Sequence, residues 1–133
     1  MKYFLSFLLI ATILVACKKD KASPQTIIGK WELRDISGGQ VANVPSTYKA
    51  GNGNTIEYSS SEYKMMEKSK LILKKNYVIV QESAQIDGNA YTTALIYDNE
   101  KLKWYFKLTE DKLILSIGSI ALDGVTMTYQ RLR

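Results

Sequence analysis

The sequence predicts an all-β protein, an eight-stranded antiparallel up-and-down barrel behind a cleaved signal peptide, and three observations carry that reading. From Gly29 onward the chain is a succession of short stretches rich in valine, isoleucine, tyrosine, threonine and tryptophan, residue types that suit a pleated surface. Most of these stretches alternate apolar and polar residues with a period of two, as half-buried strands do. The connections are mainly short and built from glycine, asparagine, aspartate and lysine, so neighbouring stretches pair as a meander. About eight stretches follow one another, which suits a meander closing on itself. Closure also removes the free sheet edges that invite aggregation.

The first strand runs from Lys30 to Ile36, with Trp31 and Leu33 alternating against Glu32 and Arg34. Thr55 to Ser59 carries Ile56 and Tyr58 on one face, and Glu62 to Lys68 carries Tyr63 and Met65. Leu71-Ile72-Leu73 leads into Lys74-Lys75-Asn76, which reads as a turn-like break, and Tyr77 to Glu82 follows with both faces apolar at its start. Asp87-Gly88-Asn89 signals a hairpin, because glycine and asparagine accept the positive φ of a tight turn. Tyr91 to Tyr97 comes next, then a turn at Asp98-Asn99-Glu100. Lys103 to Leu108 sets Trp104, Phe106 and Leu108 against Lys103, Tyr105 and Lys107. Thr109-Glu110-Asp111 turns the chain into Lys112 to Ile117, where Leu113, Leu115 and Ile117 share a face. A loop from Gly118 to Gly124 precedes Val125 to Leu132, with Val125, Met127 and Tyr129 on one side.

One connection differs from the rest. Ser37 to Asn54 holds four of the eight glycines and Pro45, with no sustained apolar period. Loops beyond about 12–15 residues are usually functional or mobile, so this one is a candidate lid over an opening. A tolerated surface insertion is the alternative, since lengthening a loop adds little closure cost.

Ahead of the strands, Met1, Lys2 and Tyr3 give a basic start and Phe4 to Val15 run almost entirely apolar. A membrane-spanning helix needs roughly 20 apolar residues, whereas a secretory core needs about 7–15, so residues 1–16 read as a signal peptide. The leader closes on Leu14-Val15-Ala16-Cys17, which resembles the lipobox of bacterial lipoproteins. That resemblance implies that Cys17 is thioether-linked to a diacylglycerol, becomes the mature N-terminus and is acylated on its amine by a chain such as palmitate. Two or more acyl chains anchor stably, so the membrane would be a partner through the lipid. Residues 17–26 would be the lipidated cysteine and a polar tether, through Lys18, Lys19, Asp20 and Lys21. Lysine at position 18, instead of the aspartate associated with inner-membrane retention in enterobacteria, favours the outer membrane. The face of that membrane stays open. Cys17 has no second cysteine to pair with, so no intramolecular disulfide contributes to stability.

Composition narrows the function classes. The net charge is +5, but the lysines are scattered, whereas a nucleic-acid binder concentrates its charge in one stripe. No nucleic-acid partner is expected. The chain has no histidine, which removes the commonest general base and metal ligand. It has no cysteine cluster for zinc and no glycine-rich phosphate loop. An enzyme would need a converging carboxylate pair such as Glu57 with Glu82, or a lysine desolvated beside tyrosines, and those two carboxylates stand at strand positions where charge normally faces water. No catalytic residue, metal or cofactor is expected.

Gly29-Lys30-Trp31, Gly38-Gly39 in the long loop and the closing Tyr129-Gln130-Arg131 together resemble the lipocalin-like lipoproteins of Bacteroidetes-type bacteria, from Cys17 to the end. The resemblance implies a single barrel over residues 27–133, with Gly29 and Trp31 closing one end and Arg131 or Arg133 laid over the indole as a cation–π partner. It also implies a cup for one small apolar molecule, and an eight-stranded barrel is just wide enough for that or for its own side chains. By alternation Tyr58, Met65, Trp104, Phe106, Leu115, Met127 and Tyr129 are the inward candidates for contact with a small hydrophobic ligand. A carrier predicts an interior cavity of about 300 Å³ or more. The alternative, an interaction protein with a filled barrel, predicts an exposed apolar patch beyond a few hundred Å².

Overall fold

The computed structural model describes residues 26–39, 44–98 and 100–133; the leader, Cys17 and most of the tether lie outside them. Eight strands follow one another: β1 Gly29–Gly38, β2 Thr55–Tyr58, β3 Glu62–Glu67, β4 Lys70–Ile86, β5 Asn89–Tyr97, β6 Lys103–Leu108, β7 Lys112–Ile117 and β8 Val125–Arg131. Each pairs antiparallel with the next, and β8 returns to β1 from Trp31↔Arg131 to Gly38↔Val125, which closes the barrel. Among the described residues the only helical element is a single 3₁₀ turn over Ile120–Leu122, in the loop before β8. The register puts Gly29, Trp31, Tyr58 and Arg131 at the end where the chain enters, and Gly38, Glu67 and Val125 at the opposite end, the mouth.

Alternation sends one residue in two inward, and the inward set forms one core. Trp31, Leu33, Ile56, Tyr58, Tyr63, Tyr77, Leu95, Tyr97, Phe106, Leu113, Leu115 and Tyr129 are all buried and packed together. One bulge at Leu33/Asp35 and another at Met65/Met66 shift the alternation, as an extra residue in one strand of a pair does.

Three sequence expectations change. The break at Lys74-Lys75-Asn76 is not a turn, because β4 runs unbroken through it. Both lysines find carboxylates across the sheet, Lys74 with Glu62 at 2.7 Å and Lys75 with Glu100, which makes a strand interior tolerable for them. The turn lies instead at Lys68 and Ser69, whose φ angles are 48° and 67°, the left-handed pair that a two-residue hairpin requires.

The second change concerns the long loop. Residues 44–54 form a strap bonded along β1: Ile36 N–H donates to Ser46 O at 2.8 Å, Tyr48 N–H to Arg34 O at 2.7 Å and Leu33 N–H to Asn54 O at 2.9 Å. Asp35 and Thr47 make an isolated bridge. The strap lies beside β1 and brings Tyr48 to the interior, and its Gly51 and Gly53 turn onto Glu32, which alternation points to water but which is buried there.

The third is the β4–β5 hairpin. Its turn falls at Asp87-Gly88, both at positive φ, but β5 pairs with β6 only at Ala94↔Tyr105, Leu95↔Trp104 and Ile96↔Lys103. Before Ala94 the hairpin leaves the wall and folds over the outside of β6 and β7. Tyr91 reaches Ser116 Oγ at 2.8 Å, Lys107 Nζ sits 5.0 Å from the Tyr91 ring centre, and Asp87 accepts from Ser119 Oγ at 2.6 Å and from Ile120 N–H at 3.0 Å. Those two bonds hold the Asp87 carboxyl below its usual range. Ala94 and Ser116, outward by alternation, are fully buried as a result. Tyr91→Phe removes the hydroxyl link while Ser116 keeps Thr126 at 2.8 Å. The expected loss is about 1 kcal/mol, read by denaturant melts, with faster amide exchange over residues 82–93 than in the parent.

Candidate ligand site

The entry end is closed by packing. Trp31 is fully buried, its indole N–H donates to Ile27 O at 2.8 Å, and the Arg131 guanidinium lies 4.0 Å from the ring centre. Arg131 is itself fixed, donating to Thr26 O at 2.7 Å, Ile28 O at 3.0 Å and Glu110 O at 2.9 Å. Gly29 has φ 135°, and a Cβ there would stand 2.8 Å from Arg131 Nη1, so glycine lets the guanidinium cross the strand start. Arg133 instead reaches exposed Glu110 at 3.8 Å.

Above this end lies a tyrosine stack. Tyr58 meets Tyr63 and Tyr77 at 5.1 Å between ring centres, and Tyr63 meets Tyr97 at 4.7 Å, spacings that favour edge and tilted aromatic pairs. The Tyr58 and Tyr97 hydroxyls bond each other at 2.5 Å, and Tyr77 donates to Ser59 O at 2.5 Å. Burial first, and neighbouring hydroxyls second, push the Tyr58 phenol well above its usual value, so the stack stays protonated.

At the mouth the interior is not full. One chamber of about 240 Å³ lies between Leu33, Ile36, Tyr48, Asn54, Thr55, Ile56, Met65, Met66, Glu67, Met127 and Tyr129. A second, of about 200 Å³, lies between Tyr63, Met65, Leu73, Tyr97, Glu100, Trp104, Leu115, Met127 and Tyr129. Met65, Met127 and Tyr129 belong to both walls and divide them. Neither chamber alone reaches the roughly 300 Å³ expected of a carrier.

Five of the seven sequence candidates, Met65, Trp104, Leu115, Met127 and Tyr129, therefore come together around this space. Tyr58 does not, because it is buried in the tyrosine stack. Phe106 does not either: it lines a different hollow nearer the entry end. Sequence reading missed Leu73, which lay next to the supposed turn, and Tyr48, which the strap brings in from the loop. Tyr63 and Tyr97 carried the same alternation signal and could have been named. The catalytic pair considered for an enzyme has separate surroundings: Glu57 stands across from Lys30 and Lys64, while Glu82 is held by Lys103 and by Tyr105 Oη at 2.6 Å. These bonds keep the Glu82 carboxyl below its usual range.

The hollow at Phe106 is an open groove of about 1000 Å³, formed where the hairpin departs from β6. Thr26, Ile27, Ile28, Tyr77, Val78, Ile79 and Ala90 to Thr93 make up most of its remaining wall. Ile28, Val78 and Ile79 in this wall are 46, 57 and 46 % exposed, and among the described residues the neighbouring β6 edge has no ladder partner beyond Tyr105. Among the described residues no cluster of three histidine, cysteine or carboxylate side chains could hold a metal, and no helix is long and apolar enough to cross a membrane. Comparison with family models, with characterised proteins and with solved structures finds no match to this chain.

Proposed function

We propose that this chain is a lipid-anchored, lipocalin-like binding protein of the bacterial cell envelope, tethered through Cys17 to the outer membrane and carrying a small hydrophobic or amphipathic molecule in the mouth of its barrel. The observation that supports this most is the divided space at the mouth. Its partition consists of two methionines and a tyrosine, and methionine is the side chain that most readily changes shape around a guest. Rotation of Met65 or Met127 would join the chambers into a space above the lower end of the usual range for small-molecule sites. The entry end supports the same reading, since Trp31 and Arg131 close the barrel there and leave the divided space open toward the mouth. With nothing in the composition that favours catalysis, holding a molecule is the chemistry left to these residues.

A second reading, a non-catalytic interaction protein, has its own supporting observation in the groove between the β4–β5 hairpin and β6. Extended peptides add to free strand edges of this kind. One experiment separates the two. The full chain, extracted from its original host in mild detergent, is measured by native mass spectrometry. The carrier reading expects a barrel with one bound small molecule, and the interaction reading expects a protein partner on an otherwise empty barrel. In the same host Cys17→Ala is expected to move the protein from the detergent phase to the soluble fraction; a variant that stays with the membrane argues against the lipid.

A further inference from the structure

Building on the carrier reading, we propose that the guest is an uncharged, largely apolar molecule bearing one hydrogen-bond acceptor, and that Tyr129 is the residue that recognises it. Tyr129 stands at the junction of the two chambers and is 5 % exposed. Its hydroxyl donates to Met127 Sδ at 3.3 Å. A thioether is a weak acceptor, and the other tyrosine bonds in the barrel are of a different kind. Tyr58 and Tyr97 bond each other, Tyr77 meets a backbone carbonyl, and Tyr91 meets a serine hydroxyl. Tyr129 thus holds a good donor on a poor partner, inside a mostly apolar space large enough to admit a better one. A carbonyl or ether oxygen placed between the methionines would accept that hydrogen bond once Met127 turns aside.

Burial pushes the Tyr129 phenol far above its usual value, so the donor is present at every physiological pH. Charge sets the other half of the specificity. Each chamber has one carboxylate in its wall, Glu67 in the first and Glu100 in the second, and no cation among the described lining residues. The nearby Lys75 is already bonded to Glu100. An anionic guest would bury a charge without a partner, which is costly, so carboxylate-headed molecules are rejected. Each chamber alone equals the liquid share of roughly seven or eight waters, enough for a ring-sized probe even before the two join.

The test uses the full chain in detergent and three probes: acetophenone, ethylbenzene, which keeps the ring and length but lacks the oxygen, and benzoate. Titration calorimetry is expected to show acetophenone binding about tenfold tighter than ethylbenzene, the worth of one net hydrogen bond, with benzoate weakest. Tyr129→Phe is expected to erase the preference and leave ethylbenzene unchanged, while Tyr63→Phe, in the wall of the second chamber alone, retains it. If Tyr129→Phe fails to fold, Met127→Leu serves instead: it removes the competing sulfur and should widen the preference. Equal binding of acetophenone and ethylbenzene, a preference that survives Tyr129→Phe, or no widening in Met127→Leu overturns the role of Tyr129 while leaving the carrier reading intact. Tight binding of benzoate overturns the charge rule. Binding of none of the three overturns both this inference and the carrier reading.

Discussion

Trp31→Ala is expected to destabilise the barrel by about 4 kcal/mol, the usual loss when a buried tryptophan is truncated. For a domain of this size that corresponds to a melting temperature lower by roughly 20 °C. Three losses combine. The indole is fully buried, so its removal leaves a void at the one end of the barrel that is sealed. Its N–H no longer meets Ile27 O, and that carbonyl loses a donor. Arg131, which now lies 4.0 Å over the ring, loses its cation–π partner, worth about 0.5–2 kcal/mol. Trp31→Phe keeps most of the packing and is expected to lose less than half as much. Thermal melts of the three proteins side by side check this, and an Ala variant that melts with the parent shows that Trp31 closes nothing.

Glu32→Ala has the second largest expected effect, about 3 kcal/mol, or a melting temperature lower by roughly 15 °C. Glu32 is 3 % exposed. It pairs with Arg34 and accepts the Gly51 N–H at 3.1 Å and the Gly53 N–H at 3.4 Å. Removing the carboxylate leaves a guanidinium and two backbone donors without it, and breaking a buried pair from one side costs far more than never having had it. Because the strap beside β1 depends on these bonds, amide exchange across residues 46–54 is expected to accelerate more than exchange in β6 or β7.

The same carboxylate gives the fold an acid limit. Burial raises the Glu32 pKa, but the bonds from Arg34, Gly51 and Gly53 outweigh it, and the net shift is downward from 4.5. A group whose folded pKa is depressed stabilises the fold fully above its unfolded value and loses that contribution as pH falls through the folded one. The parent is therefore expected to lose stability from about pH 4.5 downward. Glu32→Gln is expected to start less stable at neutral pH and to show a shallower acid slope. A variant with the slope of the parent would place the acid sensitivity elsewhere.

Sequence and structure agree where a property is local. Strand after strand from Gly29 to Arg131 follows the period-two alternation, because the pleat alone decides which side chains share a face. The Asp87-Gly88 turn was legible for the same reason. Lys68-Ser69 was not, because neither residue type advertises positive φ, and Lys74-Lys75-Asn76 imitated a turn only because Glu62 and Glu100, the partners of the two lysines, are distant in sequence. At the site, alternation picked out Met65, Trp104, Leu115, Met127 and Tyr129, but it could not distinguish the depth of Tyr58 or Phe106 from theirs.

By itself the sequence determined the all-β class, the order and direction of eight strands, and the inward identity of most core residues, since these depend on spacing along one chain. Only the tertiary structure decided that Glu32, Ala94 and Ser116, outward by alternation, are buried. A strap joins the wall beside β1 and a hairpin folds back over β6 and β7, and where each lies depends on bonds such as Gly51 to Glu32 and Tyr91 to Ser116 that no periodicity encodes. It also decided that the mouth is divided and the entry end sealed, because unfilled space is the difference between the volume that eight strands enclose and the volume that their inward side chains occupy together.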